Sequence, residues 1–399
     1  MLKASLSADI EQLRKSLLLK LDERTLQQDN AHAIRALLEK LIAQANDTKI
    51  QQDLLASLQY EGMGARKDNI SKTYGNTYEW VFDPGEDQAQ VAHLHEWLRA
   101  GEGVFWVSGK PGSGKSTLMK FIQEHCQTTR LLQEWAGEDS LVVTASFFFW
   151  INGNPMQRSQ EGLLREMCAS ILKQCPNIFL DLWSQVEGIP KDLVRTHAPQ
   201  AKWPTSTLRS MFERLQNASL EHHGRTVRFA FFVDGLDEYS GDHEDLVEIL
   251  TSLGSSANVK LCVASRPWNI FEQAFGNDEH RKLYMQRLTH NDIATYVEEK
   301  IGNHQHFVHL LREDERAQDI IDDIISRAAG VFLWVYLVER QIRRSLVNRD
   351  NLQTLRKRVL QMPTDLNVFF KQMFDNLVSS CKFVFKGHCV SQDRAELPP

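Results

Sequence analysis

One stretch of the chain combines residue types at a spacing suited to gripping phosphate: Gly109-Lys110-Pro111-Gly112-Ser113-Gly114-Lys115-Ser116-Thr117. A Gly-x-x-x-x-Gly-Lys-Ser run is a phosphate-binding loop. Glycines at 109, 112 and 114 let the backbone turn back and present successive N–H groups to anionic oxygens. Lys115 brings a mobile ammonium to the terminal phosphates, and Ser116 offers a hydroxyl to Mg²⁺. A helix expected to start near Gly114 aims its positive dipole end at the same anion.

Binding phosphate is not hydrolysing it, and three further positions supply the missing parts. Asp234 follows the apolar run Arg228-Phe-Ala-Phe-Phe-Val233. A carboxylate at such a strand tip can hold Mg²⁺ directly or through water. Asp237 or Glu238 can then accept a proton from, or orient, an attacking water. The plainer reading of that pair is an exposed acidic turn ahead of the helix after His243. Arg266 ends another apolar run, and its guanidinium can sense a γ-phosphate there. Its plainer reading is a surface ion pair.

These residues need a scaffold, and the apolar patterning describes one. Val104–Ser108, Leu141–Trp150, Val227–Val233, Val259–Ala264 and a weaker Leu283–Gln286 read as buried strands. Helical spacing lies between them at Gln90–Arg99, after Gly114, at Arg158–Gln174 and at Thr205–Glu221. Strands alternating with helices imply an α/β fold, a parallel sheet with right-handed crossovers. Ligands bind such sheets beyond the carboxyl ends of the strands, where the three polar clusters fall. From His290 the pattern is helical, at Asn291–Ile301, Ala317–Ala329, Val331–Ser345, Asp350–Gln361 and Asp365–Ser379.

Before the first strand, residues 1–60 carry amphipathic repeats at Leu6–Leu21, Ile34–Ala45 and Ile50–Leu58. They suit either packing on the next domain or an arm that binds partners. Glu61–Asp87 is a boundary region with the aromatic set Tyr74, Tyr78, Trp80 and Phe82 and a turn at Asp83-Pro84-Gly85.

The 399 residues are 42% hydrophobic and 25% charged, a globular composition. A net charge of −6 gives no reason to expect nucleic acid or an anionic membrane as partner. The cluster Arg340, Arg343, Arg344, Arg349, Arg356, Lys357 and Arg358 reads as a solvated helix face. Six cysteines form no C-x-x-C pair; Cys126, Cys168 and Cys262 read as small core side chains. No run approaches the ~18 apolar residues that span a bilayer. A cytoplasmic location is the expectation.

The motifs taken together resemble a known family. Glu102–Lys120, around the phosphate loop, resembles the NACHT NTPases of filamentous fungi, whose domain is often labelled nephrocystin-like. Phe229–Glu238, Ala264-Ser-Arg-Pro267, Ser146–Trp150, Glu161–Arg165, Leu288–Ile293 and Ala329–Trp334 read as further landmarks. The resemblance covers about Thr73–Phe370. It implies a P-loop NTPase of the additional-strand type, strand order 5-1-4-3-2 in order of appearance. It implies a signal-transduction ATPase, closed with ADP, open and oligomeric with ATP, alone or with related NTPases, and associated in fungi with non-self recognition and programmed cell death. By that analogy Gly109–Thr117 bind phosphate, Ser116 and Asp234 hold Mg²⁺, Glu238 and Asp237 assist hydrolysis, and Arg266 senses the γ-phosphate. The absence of an Asn-Lys-x-Asp motif leans toward ATP over GTP. No transporter signature Leu-Ser-Gly-Gly-Gln is present.

The organisation expected from this is an N-terminal helical region over 1–72, an NTPase domain over 73–287, a helical lid with the start of a truncated winged-helix region over 288–380, and a tail over 381–399. Gly330-Val-Phe stands where some relatives have Gly-x-Pro near the adenine. Sensor repeats that relatives carry after the winged helix are not recognised. The N-terminal helices are the expected contact for protein partners.

Overall fold

The computed structural model describes residues 48–71, 73–75, 77–82, 89–184, 203–217, 220–222 and 224–375. The apolar repeats at 6–21 and 34–45, the turn at 83–85 and the tail from residue 381 lie outside the described residues.

Among the described residues six strands form one sheet: β1 (Gly103–Ser108), β2 (Ser140–Phe148), β3 (Glu221–His222), β4 (Arg225–Asp234), β5 (Val259–Ser265) and β6 (Lys282–Tyr284). The order is β2-β4-β5-β1-β6, with β3 paired antiparallel to the start of β4. The five main strands are parallel. Numbered by appearance they run 5-1-4-3-2, the expected order. Register brings Ser108 level with Ser265 and Tyr284, and Asp234 level with Phe148. The carboxyl ends of β1, β4 and β5 therefore share one rim.

Strand β4 shows why its sequence is apolar without interruption. Phe229, Phe231 and Val233 enter the core on one face of the sheet, and Ala230 and Phe232 enter the core on the other. A period-two chain buried on both sides has no solvent face to mark with polar residues. Each fully buried Phe contributes about 1.5–3 kcal/mol relative to exposure. The face beneath β4 and β5 is covered by the helix Lys115–Glu124 through Leu118, Met119 and Ile122. The opposite face is covered by Gln160–Gln174, Thr205–Asn217 and His243–Gly254.

The helix over 48–58 also belongs to that second layer, since Leu54 and Leu58 are buried in its core. Arg165 anchors it, donating to the carbonyls of Leu58 at 3.0 Å, Ser57 at 2.8 Å and Gln59 at 2.9 Å. A third core, made of residues from Ile293 to Phe369, contains no sheet residue. It is built by helices His290–Val297, Gln305–Glu313, Gln318–Ala328, Phe332–Val347 and Leu352–Gln361.

Several elements depart from the sequence reading. Helix Thr205–Asn217 stops short of Glu221, which instead pairs with β4 in the small β3 strand. Helices Cys126–Ala136, Asn269–Phe275 and Gln305–Glu313 are additions to it. Each is short, and the first contains Thr128-Thr129, whose β-branched side chains weaken helical propensity until Leu131, Leu132 and Trp135 are packed. Cys126 is exposed, because it is the first residue of its helix, while Cys168 and Cys262 are buried as expected and Cys175 joins them.

Candidate functional site

The phosphate loop leaves β1 at Ser108 and enters the helix at Lys115. Gly112 and Gly114 hold φ of 71° and 95°, a region that side-chain-bearing residues avoid. The space is taken as well: a Cβ on Gly112 would lie 2.7 Å from the Leu333 Cβ, and one on Gly114 would overlap the Tyr78 hydroxyl. Gly109 donates its N–H to the Ser265 carbonyl at 3.3 Å, tying the loop to β5.

The Lys115 ammonium lies across the loop, donating to the carbonyls of Gly109 at 2.7 Å and Lys110 at 3.1 Å. Burial lowers its pKa, against the opposing pull of Asp237 and Asp234. Those two acids and Glu238 face it from the end of β4 and the turn beyond.

Asp234 is 2% exposed. Burial pushes its carboxyl up to about 6, although a hydrogen bond with Ser116 and the charge of Lys115 pull the other way. Its Oδ1 is buried without a hydrogen-bond partner. An orphaned buried carboxylate oxygen beside a serine hydroxyl is a hard-oxygen donor pair, and these residues fit Mg²⁺ that takes its remaining ligands from water and phosphate.

Asp237 and Glu238 are both engaged. Asp237 is buried, its Oδ2 2.8 Å from the Arg266 Nε and its Oδ1 accepting from the Arg266 N–H at 3.0 Å. Glu238 accepts from the Ile151 N–H at 2.8 Å. The exposed acidic turn is therefore not what forms; the helix at His243 is capped by Asp242. Arg266 stands beside the loop, as the position of β5 next to β1 requires. Lys110 points to the helical unit, its ammonium 3.4 Å from the Ala329 carbonyl, and Ser113 is fully buried with its hydroxyl unpartnered. Pro111 lies within the loop and Thr117 in the first turn of its helix.

Two contributors escape the sequence reading. Leu333, at the start of helix Phe332–Val347, donates its N–H to the Gly112 carbonyl at 3.0 Å. Tyr78, with φ of 71°, reaches the Gly114 carbonyl at 3.4 Å. Its N–H and the Trp80 indole share one acceptor, Asp292 Oδ2, at 3.3 and 2.8 Å. The aromatic set is visible in sequence, but its partner lies 214 positions away. A cleft of about 450 Å³ opens beside this junction, lined by Gln286, His290, Ile293, Ser326, Ala329 and Gly330 among others.

The profile of the family described as Nephrocystin 3, N-terminal, matches residues 76–266. No curated protein matches the chain in sequence. Among solved structures, the chain is similar to the Drosophila ORC bound to DNA, at 12% identity and a TM-score of 0.43, covering 78% of this chain and 65% of that one. It thus spans just under two thirds of that chain. It is also similar to the Aeropyrum pernix ORC2 protein in its ADP form (16% identity, TM-score 0.35, covering 75% and 72%) and to Cdc6p from Pyrobaculum aerophilum (12%, 0.32, 70% and 68%). Loop, strand order and rim are those of a P-loop NTPase fold. Among the described residues no helix is long and apolar enough to cross a membrane.

Proposed function

We propose that the chain is an ATP-binding and slowly ATP-hydrolysing switch of the NACHT, signal-transduction ATPase type. One observation supports the switch: the Leu333 N–H is bonded to the Gly112 carbonyl, and in this reading the helices that build the third core act as a lid on the phosphate loop. Whatever fills the loop must be compatible with that contact or displace it, so nucleotide state and lid position are linked.

In this reading Gly109–Thr117 wrap the phosphates, and the Lys115 ammonium exchanges loop carbonyls for phosphate oxygens. Asp234 and Ser116 would hold Mg²⁺, which neutralises charge on the terminal phosphates. Glu238 orients the attacking water after leaving the Ile151 amide, and Arg266 senses the γ-phosphate after leaving Asp237. The cleft at Gln286 and His290 suits a nucleobase. The partners are ATP, ADP and further copies or related NTPases, reached through the N-terminal helices; a net charge of −6 argues against nucleic acid. A fungal role in non-self recognition or cell death is what the family resemblance implies.

A second reading has a specific observation behind it. Both water-activating candidates are already occupied, Asp237 by Arg266 and Glu238 by Ile151. That favours a nucleotide-bound scaffold which does not hydrolyse. Calorimetry and a turnover assay separate the two. Lys115→Ala should abolish tight binding of ATP and ADP. Glu238→Gln should keep ATP binding while slowing turnover about 10²-fold or more. Tight ATP binding with no wild-type turnover selects the scaffold, and unchanged affinity in Lys115→Ala overturns both readings. Growth of the assembly with ATP over ADP, seen by light scattering, supports the switch.

A further inference from the structure

Arg66 sits outside every motif named above, yet its position is closely determined. It lies in the first turn of the helix Ala65–Asn69, preceded by Gly62 and Gly64 at φ of 80° and 76°. The loop after β2 holds this segment from one side: Gln157 Nε2 donates to the Gly62 carbonyl at 2.9 Å, and Asn154 donates to the Glu61 carbonyl. The phosphate-loop helix holds it from the other. Lys120 Nζ donates to the carbonyls of Lys67 at 2.9 Å and Ile70 at 3.1 Å, and Lys67 pairs with Glu124 at 3.1 Å.

So held, the Arg66 guanidinium stands 5.9 Å over the Trp150 ring. Trp150 lies between the two backbone groups that close the rim: Phe149 N–H donates to the Asp234 carbonyl at 3.0 Å, and Ile151 N–H donates to Glu238 at 2.8 Å. Arg66 makes no hydrogen bond or ion pair among the described residues, and its Nε is buried without a partner. A half-buried guanidinium with no acceptor, beside the acids of a phosphate site, is short of an anion.

We infer that Arg66 is a γ-phosphate contact supplied within the chain, engaging the terminal phosphate of a nucleoside triphosphate from the β2 side of the rim. This rests on the nucleotide reading above and adds to it. Arg266 approaches from β5 but is neutralised by Asp237, whereas Arg66 carries an uncommitted charge. The segment also follows the helix over 48–58 directly, so a triphosphate that draws in Arg66 pulls on the connection to the N-terminal region.

The test compares full-length wild type with Arg66→Ala and Arg66→Gln, titrated with Mg²⁺ and either ADP or a non-hydrolysable ATP analogue. Losing one charge-assisted contact should weaken the triphosphate about 10- to 100-fold. ADP affinity should stay within about twofold, since the diphosphate lacks the contacted group. Arg66→Lys should recover part of the triphosphate preference. Thermal midpoints check folding, and Arg66→Gln keeps a planar polar group over Trp150 should the alanine variant unfold. Equal losses for both nucleotides, or no loss for either, overturn the inference while leaving nucleotide binding in place. Wild type that binds neither nucleotide overturns the nucleotide reading and this inference together.

Discussion

Asp237 holds Arg266 at two points, one through the guanidinium and one through the backbone N–H of the same residue, at 2.8 and 3.0 Å. The carboxylate is buried and the arginine side chain partly exposed, so the two contacts differ in worth. The ion pair reaches solvent and contributes little. The backbone contact gives the Arg266 N–H its acceptor, and losing that acceptor leaves the donor unpaired.

Asp237→Asn and Asp237→Ala separate them. Asparagine keeps an acceptor for the Arg266 N–H, and alanine leaves that N–H unpaired. Alanine should cost about 1–3 kcal/mol more stability than asparagine, read by urea denaturation. Both variants release the guanidinium, so both should bind an ATP analogue more tightly relative to ADP than wild type does. Equal stabilities for the two variants would rule out the backbone contact as the stabilising one.

The contact between Leu333 and Gly112 can be broken without touching a charged residue. In Gly112→Ala the new Cβ would meet the Leu333 Cβ at 2.7 Å with φ held at 71°. The Leu333 N–H···O=C bond cannot survive that approach. Exchange of the Leu333 amide with deuterium should accelerate, and stability should fall by about 1–3 kcal/mol. Gly137→Ala is the control, since φ there is 89° but nothing lies within 4 Å of its Cβ. It should show backbone strain alone and leave Leu333 exchange unchanged. Similar exchange at Leu333 in both variants would mean that helix Phe332–Val347 is not held through Gly112.

Lys260 offers a pH signature away from the site. Its ammonium is fully buried, caps the carbonyls of Trp97 and Leu98, and stands 5.1 and 4.5 Å over the rings of Trp97 and Trp135. Burial, with the nearby Arg228 charge adding to it, lowers its pKa from 10.5 to about 7. Between those values the unfolded chain binds the proton and the folded chain does not, so stability from this group rises with pH. Urea midpoints taken from about pH 7 to 9.5 should climb in wild type and climb less in Lys260→Met. Parallel pH profiles would contradict the assignment.

How far sequence alone reaches follows from what each feature depends on. The phosphate loop, Asp234 and the five parallel strands are legible because their signals are local: a glycine spacing set by backbone geometry, and unbroken apolar runs that only a sheet covered on both faces can bury. Strand order follows from the family resemblance rather than from the runs themselves. Helix Cys126–Ala136 is not legible because its propensity is weak until Trp135 packs beneath the sheet.

The partners of the site residues are not legible either. Asp237 facing Arg266, Leu333 on Gly112, Tyr78 on Asp292 and Arg66 above Trp150 are pairs far apart in the chain, from 29 positions for the first to 221 for Leu333 and Gly112. Their spacing carries no period, and their energies exist only once the sheet has brought the ends of its strands to one rim. Local chemistry named the groups that can grip a phosphate, and packing alone chose which charges are already paired and which remain free to meet one.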